Sequence, residues 1–140
     1  ETRCTNTQGK IRTLKSRYSD TSNNRNKTYR NIDAKMWVII GSLKLIDKDT
    51  FKLEQQRLEL AKQVAAFDNS SAQFRQVMDD AAAMNCKADP AGFMALIETA
   101  RLYNAQIRNS FTTIRAYVID TIKPTITEYS TDLELKASTE

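Results

Sequence analysis

Apolar side chains recur at alternating steps of three and four along nearly the whole chain, and little interrupts them. The first stretch carries Ile11, Leu14 and Tyr18, then Tyr29, Ile32, Met36, Ile39, Leu43 and Ile46. The second carries Leu53, Arg57, Leu60, Val64, Phe67, Ser71, Phe74, Met78 and Ala81. The third carries Phe93, Leu96, Ala100, Tyr103, Ile107, Ser110 with Phe111, Ile114, Val118 and Ile122. This spacing is the seam of one helix lying along another. Only 3 Gly and 2 Pro occur in 140 residues, so turns are few and elements long.

Two turns are legible between the stretches. Asp47-Lys48-Asp49-Thr50 is the first, where Asp49 or Thr50 can cap the next helix with a side-chain oxygen. Lys87-Ala88-Asp89-Pro90 is the second, with Asp89 as cap and Pro90 at the first helical position. Helices are therefore expected over about 3–46, 50–86 and 90–122. Pro124 removes an amide and clashes with the preceding turn, which ends or kinks the third helix near Ile122. Ile126 and Tyr129 remain available for packing, and residues 130–140 read as a polar tail or linker. Together these features predict an all-α fold, an elongated antiparallel three-helix bundle running up-down-up over residues 1–129.

The stretch Ser19–Thr28 holds no apolar residue, but the seam passes through it in phase at Ser22 and Arg25. One continuous helix with a polar waist is expected there. Folding the hairpin about residue 48 pairs each position i with roughly 96 minus i, taking ~1.5 Å of rise per residue on both sides. The waist then faces the second polar stretch near Ser71. Arg25 and Arg57 on the seams would meet acidic partners such as Asp20 or Asp68.

Cys4 and Cys86 are the two cysteines, near the far ends of the first and second stretches. Two free buried thiols are one reading. The hairpin favours a disulfide, because the second helix returns to where the first began. Such a bridge closes a loop worth about 4 kcal/mol in the chain-entropy picture and implies an oxidising, extracytoplasmic compartment. The chain begins at Glu1, in keeping with a removed signal or anchor. No run of about 18 apolar residues spans a membrane.

The net charge of +4 is uneven, with eleven Lys and Arg against four Asp and Glu in residues 1–48. Arg12, Lys15, Arg17, Arg25, Lys27 and Arg30 form a basic stretch with Tyr18 and Tyr29 interleaved. It lacks a nucleic-acid-binding motif, so an anionic cell-surface polymer is the better-matched partner. Met36, Trp37, Val38, Ile39 and Ile40 are apolar without a break and cannot all face inward. Met36, Trp37, Val38 and Ile40 are thus a candidate partner surface. There is no histidine, no Gly-rich phosphate loop and no paired-Cys metal spacing. Neither catalysis nor a cofactor is expected.

Several local motifs carry a resemblance. Arg3-Cys4 opens the first helix, Cys86-Lys87-Ala88-Asp89-Pro90-Ala91-Gly92-Phe93 joins the second to the third, and Ile114-Arg115-Ala116-Tyr117 precedes Thr121-Ile122-Lys123-Pro124-Thr125-Ile126. From about Arg3 to Ile126 the chain resembles a family of small secreted or surface-anchored helical proteins. That family is abundant in ultra-small episymbiotic bacteria of the candidate phyla radiation, including Saccharibacteria-like lineages. The resemblance implies a removed signal peptide and an extracytoplasmic location. It transfers no activity and no functional residues. The expected role is a structural or interaction module at the cell surface: a spacer, an adhesin element, or a subunit that joins a protein partner or its own copies. A chaperone-like or ligand-sensing bundle is the alternative.

Overall fold

The computed structural model describes residues 2–139, and the side chains of these except residues 2, 132 and 135–139. The fold is an all-α three-helix bundle. Helix α1 spans Thr2–Leu45 and α2 spans Phe51–Ala83. Helix α3, Pro90–Tyr117, passes through a π-helical turn at Val118–Ile122 into α4, Lys123–Thr139. The asparagine-rich stretch 19–28 lies within unbroken α1, so the expected continuous helix is observed. Helix α2 stops three residues before the expected Cys86, which sits in the following turn.

The turn after α1 is a Schellman motif. The Lys48 amide donates to the Leu43 carbonyl at 3.0 Å and the Asp47 amide to Lys44 at 3.2 Å. This geometry needs a left-handed residue at the end of the helix, and Asp47 takes it with φ of 57°. Asp49 Oδ1 then accepts from the Phe51 amide at 2.9 Å to start α2, as the sequence foretold. At the second turn, Asn85 accepts from the Ala88 and Asp89 amides. Asp89 Oδ1 accepts from the Gly92 amide at 2.9 Å and caps α3.

Internal contacts divide the chain into two compact units. The first comprises Glu1–Arg25 with Ala66–Ser110. Its core holds Ile11, Phe67, Phe74, Met78, Ala81, Phe93, Ala100 and Ile107, with Ser22 and Ser71 buried among them. Ser71 shares a hydrogen bond of 2.6 Å with Tyr18, whose ring meets Phe74 edge-on. The serines of the polar waist are thus nearly fully buried, and the Ser71 hydroxyl is satisfied within the fold. Leu14 is not a seam residue but exposed. Lys15 takes its place at the interface and pairs with Asp79.

The second unit comprises Asn26–Ala65 with Phe111–Glu140. Tyr29, Met36, Ile40, Leu43, Leu53, Leu60, Ile114 and Ile122 form its core. On α1 it is Ile40, not Ile39, that is fully enclosed. Here α2 and the third helical run are antiparallel. Gln56 bonds Thr125, and Lys52, earlier in α2, reaches Glu128, later in α4.

The third helical run does not end at Ile122, the bound expected for it; of the expected end or kink, a local disturbance of the helix is what is observed. In a regular α-helix the Pro124 ring would strike the carbonyl four residues back. The π-turn relieves this by widening the helix, with the Lys123 amide bonding Val118 five residues back. The insertion is visible in the packing. Buried residues fall at Phe93, Ala100, Ile107 and Ile114, seven apart, and the next core residue is Ile122, one place late. Thr125 donates to the Thr121 carbonyl at 3.0 Å and accepts from Gln56 at 2.9 Å. Residues 130–139, expected as a loose tail, continue α4 as helix. Leu, Glu, Lys and Ala in that segment are good helix formers. Glu140 lies outside the described residues.

Candidate functional site

The apolar run on α1 is split by the helix into two opposite faces. Met36 and Ile40, four apart, are 0% and 2% exposed, while Trp37 and Val38 are 57% and 68% exposed. At about 100° per residue, Val38 stands nearly opposite Met36. The candidate surface is thus corrected to Trp37 and Val38. Met36 and Ile40 belong to the core, because one helix face cannot serve both.

The outward face extends beyond the run. Ala34, Val38, Gly41 and Leu45 are exposed and spaced four, three and four, a second seam on the side of α1 away from its core. Leu45 is 86% exposed, and a Cβ added at Gly41 would find no atom within 4 Å. Sequence reasoning followed the stronger inward seam and missed Ala34, Gly41 and Leu45. The same alternation of three and four could have found them.

An ion pair fixes Trp37 at the edge of this face. Asp33 and Trp37 lie one turn apart on α1. Arg57 of α2 binds Asp33 through both Nε, at 2.7 Å, and Nη2, at 3.2 Å. Its guanidinium lies 4.3 Å from the centre of the Trp37 ring. The partner of Arg57 is therefore Asp33, not Asp68 or Asp20. In the folded hairpin Asp33 falls nearer Arg57 than a fold about residue 48 predicts. Residues 48–50 are non-helical and advance at up to ~3.3 Å each, against ~1.5 Å in a helix, which shifts α2 along α1.

The basic residues do not form one track. Within the first unit, Arg12 donates to the Ala82 carbonyl at 3.0 Å, and Lys15 is held by Asp79. Both line an open groove of about 620 Å³ with Ser16, Ser19 and Ala83. Arg17 is exposed and Arg25 half-buried. At 100° per residue, Arg17 and Arg25 point to sides of α1 other than the one that Arg12 and Lys15 share. In the second unit Lys27 and Arg30 are exposed and lie on the outward side of α1, with Ala34 and Val38.

Cys4 and Cys86 form a disulfide with Cα atoms 6.1 Å apart. Cys86 is buried, and a groove of about 510 Å³ beside the bridge is lined by Arg3, Lys10, Phe93 and Met94 among others.

Two titrations are displaced. The Lys44 ammonium and the Thr50 hydroxyl bond Glu54 and hold its carboxyl below the ordinary glutamate value. Burial, and to a lesser degree the charge of Glu59, pushes the Tyr117 phenol up. Among the described residues no group of three metal-ligating side chains converges. No helix among them is long and apolar enough to cross a membrane. Comparisons with protein-family models, with curated proteins and with solved structures yield no match.

Proposed function

We propose that this chain is an extracytoplasmic interaction module, a surface spacer, adhesin element or assembly subunit, and not an enzyme. The observation that carries the reading is the outward face of α1. Trp37, Val38 and Leu45 are held in solvent while their neighbours Met36 and Ile40 fill the core. A contiguous exposed apolar stripe with an aromatic anchor is the ordinary mark of a surface that meets a partner. The Cys4–Cys86 bridge is compatible with an oxidising compartment.

The test is to label intact cells of the source with a membrane-impermeant amine reagent. The protein is then sized in a mild extract of the envelope. The expected result is a labelled protein that migrates in a complex larger than the monomer. A protein protected from the label, or one that is monomeric in that extract, contradicts the reading.

A further inference from the structure

The outward stripe of α1 carries a definite charge pattern, and that pattern selects an occupant. The stripe is Ala34, Val38, Gly41 and Leu45, with Lys27 continuing its line toward the N-terminus. One edge carries Arg30, Trp37 and Lys44, and the other carries Asn31, Lys35 and Ser42. All of these lie in the second unit. Lys44 is bridged by Glu54, yet its side chain remains 57% exposed. Beside the Lys44 edge stand two carboxylates, Glu54 on Lys44 and Asp33 on Arg57, each already paired with a cation, so Lys27, Arg30 and Lys35 give the face its net positive charge. Asp33 faces α2.

We infer that this face docks an amphipathic helix from a protein partner, with an apolar seam flanked by Asp and Glu. The spacing of four, three and four is the register into which a second helix sets its own apolar side chains. Gly41 and Ala34 leave the backbone low, and the open space over Gly41 lets the incoming helix approach closely. Trp37 lies under Arg57 on one side and is still more than half exposed, so it offers a large aromatic surface at the rim. A second copy of this chain fits poorly. In either orientation its flanks bring Lys27, Arg30 and Lys35 against the same set, and the carboxylates beside them, Glu54 and Asp33, are already paired with Lys44 and Arg57. A membrane surface fits less well too, because small residues alternate with the apolar ones where deep insertion favours bulky side chains.

This inference rests on the reading of the chain as an interaction module and names the class of partner. Trp37 is the sole tryptophan, so its emission reports the site. The probes are two Trp-free synthetic helices of about four heptads with one Leu/Val seam, flanked by Glu in one and by Lys in the other. Anionic phosphatidylglycerol vesicles are a third probe. The Glu-flanked helix is expected to bind the 140-residue protein, shift Trp37 emission to the blue and bind at least about tenfold tighter than the Lys-flanked one at low salt. Val38→Glu, at a position 68% exposed, should abolish that binding without changing the helical circular dichroism. The combined Lys27→Glu, Arg30→Glu and Lys35→Glu variant should reverse the preference between the two helices.

Equal binding of both helices, no binding of the Glu-flanked helix, or a Trp37 shift with vesicles alone would each overturn the inference. So would concentration-dependent self-association that Val38→Glu removes. If the native envelope complex survives Val38→Glu, this docking site fails while the interaction reading stands. If no envelope complex exists at all, it is the broader reading that fails.

Discussion

The guanidinium of Arg57 lies over the Trp37 ring, 4.3 Å from its centre, while its nitrogens grip Asp33 one turn below. Three side chains from two helices thus set the position of a large exposed ring. Side chains of this pair are 32% and 41% exposed for Arg57 and Asp33, so solvent screens much of the attraction. The coupling between Trp37 and Arg57 should be about 0.5–1 kcal/mol. A double-mutant cycle with Trp37→Leu and Arg57→Met, followed by urea unfolding, measures it. Arg57→Lys should lose most of the coupling, since an ammonium neither stacks nor bridges the carboxylate through two nitrogens.

Asp47 holds a left-handed conformation that glycine adopts freely. Its φ of 57° is needed for the Lys48 and Asp47 amides to reach back to Leu43 and Lys44. Asp47→Gly should therefore stabilise the protein by about 1 kcal/mol, by removing the steric cost at that residue. Thermal unfolding checks it, with a raised midpoint expected. Asp47→Val should lower the midpoint, because a β-branched side chain suits that backbone least.

Glu54 gives stability a pH dependence. Lys44 first, then Thr50, lower its pKa in the folded protein. A folded value below the unfolded one means the contribution is fully present above the ordinary glutamate range. It is lost as pH falls through the folded value. Lys44→Met should flatten that part of the acid limb of stability, and Thr50→Val should flatten it less. Denaturant unfolding at a series of acidic pH values reads this directly.

The π-turn and Pro124 should be coupled. Deleting Ile119 restores seven-residue spacing from Ile114 to the next core position but returns Pro124 to a regular helix. That deletion alone should cost about 3 kcal/mol. In a Pro124→Ala background the same deletion should cost much less, because nothing then requires the wider turn. Unfolding of the four variants tests the coupling.

The helices and both turns were legible in the sequence because period, caps and breakers agreed. Asp49, Asp89 and Pro90 signalled helix starts through local chemistry, and the bundle followed. The details that escaped depend on three-dimensional competition. Leu14 lost its seam place to Lys15, whose long stem packs while its charge finds Asp79. Pro124 read as a stop or a kink because its clash is local, whereas its remedy draws on the turn before it and on Gln56 from another helix. Arg57 was recognisable as a seam cation, but its partner depended on how far the non-helical residues 48–50 shift α2. At the candidate surface, the unbroken run 36–40 announced that something must face out. Which residues did so followed from phase, and the wider stripe was hidden behind a stronger inward seam.

The bridge between Cys4 and Cys86 ties the fold to the proposed compartment. It closes a sequence separation of 82 residues, for which chain entropy alone gives about 4 kcal/mol. The decisive measurement is the intact mass of protein taken from its own cells into iodoacetamide under denaturing, non-reducing conditions. A mass two hydrogens below that of the dithiol, with no carbamidomethyl adduct, is the expected result. Protein carrying adducts at both Cys4 and Cys86 would contradict the disulfide-clamped, extracytoplasmic bundle.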